Sequence, residues 1–211
     1  FENSEANMLD GLFDIDISAS SKADSPQKLA ENMLAKLSIK NTKGGMLRLI
    51  DPDSNTGAAM GIAQSALKIG AGLLSNRVKE TKGIEAVYSM FREFKFDSFL
   101  FELERNTDKN IVIKSGEIVG KEITICADGK IAYAENLPFN MYPLSAKGRV
   151  YVKNGDTEFL FKKLGLIKSA TSPISGYSTG PEFDVYGNLQ SPKNNLSDIL
   201  KDATAAGAAS I

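Results

Sequence analysis

Histidine is missing from all 211 residues, and that absence removes the side chain that ordinarily moves protons near neutral pH. A Ser-His-Asp or Cys-His site therefore cannot be built within this chain. Cysteine is almost missing as well. Cys126 stands alone, so no internal disulfide can form and a Cys/His zinc site is excluded. It lies in the alternating apolar run Glu122-Ile-Thr-Ile-Cys126-Ala and reads as a small buried hydrophobe. One unpaired thiol points to synthesis in a reducing cytoplasm. An excess of either charge is lacking too: 25 Lys plus Arg face 26 Asp plus Glu. A dedicated nucleic-acid binder needs a basic surplus to displace counterions from phosphate, so no nucleic-acid partner is expected.

Long hydrophobic runs are scarce, and the nearest approach is residues 57–75, a stretch of small and apolar residues. Gln64 and Lys68 stand at its centre, where a charge costs roughly 2.5–3.5 kcal/mol on insertion scales. No membrane partner is expected. Gly57, Gly61 and Ser65 instead let another backbone come close, as small residues do at a tight helix contact. The run reads as a buried or partner-packed helix.

With hydrophobic residues at 42% and charged residues at 24%, the balance is globular, and four regions are legible. Residues 1–22 read as an N-terminal arm or edge segment. Phe1 in place of Met reads as a processed or trimmed start. Leu12, Phe13, Ile15 and Ile17 form an apolar patch there, with Asp14 and Asp16 on the other side of a strand. Residues 23–93 read as a helical region. Ser25 caps it and Pro26 takes the first helical position, with Leu29, Met33, Leu34 and Leu37 on one face. Met46 to Ile50 reads as a short strand. A further helix is expected over Ile84 to Glu93, burying Ile84, Val87, Tyr88 and Phe91.

From Phe94 the period changes to two, with Phe99, Phe101 and Leu103 on one side. Residues 94–169 read as an antiparallel domain of five to seven strands. Its hairpin signals are Asp128-Gly129 and Asn154-Gly155. Such a sheet has to close or pack to bury its aromatic face, which predicts a β-sandwich or barrel-like form. Residues 170–211 shift to Ser, Thr, Gly, Pro and Asn and read as an extended C-terminal arm. Phe183, Val185 and Tyr186 form one edge strand of it, and Leu196 to Ala206 a last short helix capped by Asn195 or Ser197. The expected fold class is α+β with extended terminal arms.

Few constellations carry chemistry. Asp51-Pro-Asp53-Ser-Asn55 places oxygen side chains at alternate positions, as a Ca²⁺ loop does. Thr56 stands where that loop wants glycine, however, and Ile62 where it wants a bidentate Glu. The same residues make an ordinary turn, which is the reading that fits better. Gly70-Ala-Gly72 echoes a dinucleotide fingerprint but lacks the preceding strand. The pairs Asp14/Asp16 and Glu102/Glu104 lie at strand spacing and read as solvated or edge-guarding charge.

Residues 94–190 resemble, in style, the tail-tube and baseplate proteins of tailed bacteriophages. The resemblance rests on the hairpin-rich middle, then Gly165-Leu-Ile-Lys-Ser-Ala-Thr-Ser-Pro-Ile-Ser-Gly-Tyr177 and Pro181-Glu-Phe-Asp-Val-Tyr186. It implies a β-sandwich subunit packed into rings, with arms bridging neighbours, and a place in the virion or another extracellular or cytoplasmic assembly. The expected function is thus that of a non-catalytic structural subunit whose partners are copies of itself or other structural proteins, with no small-molecule substrate. Phe13, Ile15, Gly57, Gly61, Ser65, Phe183, Tyr186 and Leu196 are the expected contact residues. The alternatives are a Ca²⁺-dependent binding module and a carboxylate-based enzyme. The turn reading of the Asp51–Asn55 loop predicts that millimolar Ca²⁺ leaves thermal unfolding unchanged. A gain in melting temperature, lost on Asp51→Ala and Asp53→Ala, would establish the metal reading instead.

Overall fold

The computed structural model describes residues 8–50 and 74–209. In chain order these form β1 (Leu9–Gly11), β2 (Asp14–Ser20), α1 (Pro26–Glu31), β3 (Leu34–Asn41), β4 (Gly45–Leu47), α2 (Leu74–Arg92), β5 (Phe94–Phe96), β6 (Ser98–Arg105), β7 (Ile111–Val119), β8 (Ile123–Ile131), β9 (Pro143–Lys153), α3 (Asp156–Lys163), β10 (Tyr177–Asn188), β11 (Pro192–Asn194) and α4 (Leu196–Ala209). Eight strands make one antiparallel sheet in the order β11-β10-β9-β8-β7-β6-β3-β2, and β1-β4-β5 make a second, smaller one.

Period-two alternation divides the large sheet into two faces. In-register rows such as Asn41, Phe99, Ile118, Ile125 and Val150 define an apolar inner face. Rows such as Glu117, Cys126 and Arg149 define a polar outer face. One core cluster joins the inner-face residues to Val87, Tyr88 and Phe91 of α2, Phe161 of α3, Leu196 and Leu200 of α4, and Phe94 and Phe96 of the small sheet. The helices and the small sheet thus cover the inner face.

Glycine in this sheet makes room for rings. A Cβ on Gly148 would lie 2.2 Å from Phe183 Cζ, its in-register neighbour on β10. Gly116 stands in the same relation to Phe101, and Gly45 to Phe96. Gly120, in the β7–β8 turn, lies against the Phe94 ring. Each ring occupies the space of a missing side chain, the pairing by which an aromatic covers a strand glycine.

Several expectations need correction. The large sheet is open, with β11 and β2 at its two ends, so the barrel-like form is not found, and the second sheet has only three strands. Among the described residues of 23–93 there is no continuous helical region: 34–41 and 45–47 are strands. Ser25 does cap a helix, its Oγ accepting from the Lys28 amide, but the helix ends at Glu31 and the chain turns into β3. Leu34 and Leu37 fit a helical face and a strand equally well in spacing. In-register pairing with β2 on one side and β6 on the other, complete over 35–40, gives this backbone its hydrogen-bond partners and decides for the strand. The described end of the region is helical as expected, with Val87, Tyr88 and Phe91 buried.

Asp128-Gly129 is no hairpin either. It lies inside β8 against Lys147 and Ala146 of β9, and the β7–β8 turn falls at Gly120, whose amide donates to the Ile123 carbonyl at 2.8 Å. A Cβ at 129 would meet Ala146 Cα at 2.4 Å, so this glycine serves close strand approach. Asn154-Gly155 opens α3 instead of a second hairpin: Gly155 takes φ 144° just before the helix, a conformation open to glycine and strained for other residues. Phe159 and Phe161 are consequently helical. Ser178 Oγ, buried in β10, donates to Glu158 of α3 at 2.5 Å and ties helix to sheet.

From 177 to 209 the expected C-terminal arm over 170–211 forms strands and a helix instead of an extended tail. β10 is twelve residues long and lies between β9 and β11, and α4 seals the core with Leu196 and Leu200. Turn-rich composition concealed a strand whose Phe183 is 3% exposed.

Gly148→Ala should destabilise the fold by about 1–3 kcal/mol, the usual cost of overpacking, measured by urea unfolding. Adding Phe183→Leu to it should recover part of that loss, because the smaller side chain vacates the space the new methyl needs.

Candidate functional site

Strand β2 ends the sheet, and no described strand pairs with its outer edge. All seven residues, Asp-Ile-Asp-Ile-Ser-Ala-Ser, are exposed. Their alternation puts Ile15, Ile17 and Ala19 on the inner face and Asp14, Asp16, Ser18 and Ser20 on the outer one. Ile15 is 59% and Ile17 72% exposed, and Leu12 beside them is exposed as well.

The edge is held firmly. At its start, Phe13 turns inward and meets Phe99 edge-on at 5.2 Å and Phe96 at 6.4 Å. Along its length β2 pairs with β3 without interruption from Asp14↔Lys40 to Ser20↔Leu34. Beyond its end, Ser21 Oγ donates to the Leu29 carbonyl at 2.5 Å and Asn32 Nδ2 to the Lys22 carbonyl at 3.2 Å. The Arg105 guanidinium donates to the carbonyls of Glu31 and Met33, fastening α1 to the sheet. These links leave Leu29, Met33 and Leu34 exposed next to the strand.

A second apolar patch lies in the β8–β9 connection, where Leu137, Phe139 and Met141 are exposed. Asn140 holds this loop to the β10–β11 turn through its carbonyl and its side chain, both bonded to Gln190.

The densest group of charges is on the outer face, where Arg149 of β9 bridges Asp128 of β8 and Glu182 of β10, and Lys147 donates to Glu182 at 2.6 Å. Hydrogen bonding to Lys147 holds the Glu182 carboxyl below its usual range, and bonding to Asp128 raises Arg149. The Cys126 thiol nearby is pushed up, first by burial and then by Glu117, which leaves it a poor nucleophile at neutral pH. Every charge in the group has its opposite, so the arrangement suits cross-strand bracing.

Of the expected contact residues, Ile15 is on the exposed edge and Tyr186, 46% exposed, is on the outer face of β10. Phe13 is half-buried as the anchor of β2. Phe183 and Leu196 lie in the core and offer no surface. Gly57, Gly61 and Ser65, and the Ca²⁺ candidates Asp51, Asp53 and Asn55, fall outside the described residues. Among the described residues no three Asp, Glu or Cys side chains converge as metal ligands would, and no helix is long and apolar enough to cross a membrane. The Leu137–Met141 patch was not anticipated. Its signal was the apolar run Leu-Pro-Phe-Asn-Met-Tyr between two strands, richer in large side chains than a solvated loop requires.

No protein-family model matches the chain, no curated protein matches it in sequence, and no solved structure matches it in fold.

Arg149→Leu should lower stability only slightly at neutral pH, by up to about 1 kcal/mol, because these pairs are exposed and screened. The Glu182 carboxyl titrates below its usual value, so its contribution is complete above the unfolded-state pKa and fades as pH falls through the folded-state pKa. The stability difference between parent and variant should therefore shrink below about pH 4, as urea titrations at several pH values would show.

Proposed function

We propose that the chain is a non-catalytic structural subunit that works by joining a larger assembly through its exposed sheet edge. The observation that carries this reading is β2: a braced strand whose outer edge pairs with no described strand, with large apolar side chains held out in solvent. A free edge offers unpaired backbone groups to any extended chain. Proteins that stay monomeric blunt such edges with charged side chains, Lys above all, with Pro, with bulges or with a covering element. Of these, among the described residues, β2 has only the two carboxylates of Asp14 and Asp16. β2 carries no Lys and no Pro, and its pairing to β3 has no bulge.

The Leu137–Met141 patch is a second contact region in this reading. A virion tail or baseplate is the setting that the resemblance of residues 94–190 implies, with other structural proteins or further copies as partners. Rings bridged by a free C-terminal arm are not part of the proposal, since residues 177–203 are built into the sheet and core.

Sedimentation across a concentration range, combined with hydrogen exchange, tests the reading. Above micromolar concentrations the chain should sediment as species heavier than 22.7 kDa. The β2 amides should exchange quickly in dilute solution and slowly in the assembled state. A monomer with rapidly exchanging β2 amides would support assembly with a different protein. A monomer at all concentrations, with β2 protected as well as β8, would overturn the proposal.

A further inference from the structure

We infer that the occupant of the β2 edge is β2 of a second copy of this chain, antiparallel and with Ile17 on the two-fold axis, giving one continuous sheet. The inference deepens the assembly reading and rests on it. Symmetry makes it checkable, because a two-fold axis normal to the sheet keeps inner faces together and fixes every opposing pair.

With Ile17 on the axis, Ile17 faces the partner's Ile17, Ile15 the partner's Ala19, Asp16 the partner's Ser18 and Asp14 the partner's Ser20. All seven residues of β2 are used, the inner face gains a row of apolar pairs, and no two carboxylates stand directly opposite, the two Asp16 being diagonal neighbours about 7–8 Å apart. Moving the axis to Asp16 would oppose Asp16 to the partner's Asp16, and moving it to Ile15 would oppose Asp14 to the partner's Asp16. Like charges directly opposite are destabilising. Moving it to Ser18 avoids the clash but leaves only residues 16–20 paired.

Charge one strand further in agrees. Lys36 of β3 lies in register with Ser18 and so in line with the partner's Asp16, two strand spacings or about 10 Å away in backbone terms. Its long side chain can lean toward that carboxylate. Both Ile15 and Ile17, now exposed, would gain an apolar cross-strand neighbour.

The opposite end of the sheet favours a closed pair over an open chain of copies. β11 is three residues long and begins with Pro192, which has no amide to donate. A β2-to-β11 contact, the head-to-tail arrangement that would propagate, has little edge to use.

Cysteine cross-linking reads the register directly. In the full chain carrying Cys126→Ala, Ile17→Cys should give a disulfide dimer on mild oxidation. Directly opposed residues of an antiparallel pair have Cα atoms about 4.5–5.5 Å apart, within disulfide reach. Ile15→Cys should not cross-link, because the two copies of residue 15 would be about 14 Å apart along the strand. The double variant Ile15→Cys/Ala19→Cys should. Ser18→Asp, which sets a carboxylate opposite the partner's Asp16 twice per dimer, should weaken self-association by about two- to thirty-fold while circular dichroism stays that of the parent.

Absence of the Ile17→Cys dimer, or equal cross-linking at positions 15 and 17, would overturn the inference. An oligomer that persists unchanged in Ser18→Asp would overturn it too, while leaving assembly through another surface standing. A monomer with an unprotected β2 edge would defeat self-pairing alone.

Discussion

The fold depends on phenylalanine rings lying across glycines of neighbouring strands. Phe183 over Gly148 and Phe101 over Gly116 sit on in-register strand pairs of the large sheet, and Phe96 over Gly45 does the same in the small one. A glycine within a strand ordinarily weakens it by leaving backbone unpacked. Here the ring fills that space, so the sheet keeps its packing and lies close against the helices above it. Register follows from the same contact. A one-residue slip of β10 against β9 would carry Phe183 to the solvent side and leave Gly148 bare.

From these rows the core extends to Phe91, Phe161 and Leu196, one from each of α2, α3 and α4. Because those helices lie on one face, the other is free to be polar, and its charges brace adjacent strands without forming an enclosed site. The cover is heaviest where Phe99, Ile118, Ile125 and Val150 line up. Toward β2 it thins, until Ile15 and Ile17 project into solvent. The proposed contact therefore arises where the element that supplies apolar cover runs out, and an open sheet always has such a place.

Bracing separates this edge from a frayed terminus. Phe13 is held among rings at one end, and the Ser21, Asn32 and Arg105 bonds hold the other. A partner strand would meet a formed template and would bear little of the ordering cost that disordered segments carry on binding. Of the two forms expected for residues 1–22, an arm or an edge segment, 14–20 take the second.

Read alone, the sequence determined the excluded chemistry, since an absent histidine and a single cysteine cannot be supplied by folding. It also determined the period-two run from Phe94, the buried face Val87-Tyr88-Phe91, the Ser25-Pro26 helix start and the helix from Leu196, all signals carried by residues close together in the chain. Only the tertiary structure decided that 34–41 is a strand, that Gly129 and Gly155 do not close hairpins, and that 177–188 lies inside the sheet. Most of these turn on a partner distant in sequence: β6 for the first, Ala146 for Gly129 and β9 for the last, while Gly155 is settled locally by the helix it opens. Local propensity separates the alternatives at such positions by little, and the burial and hydrogen bonding that settle them exist only once those partners are in place.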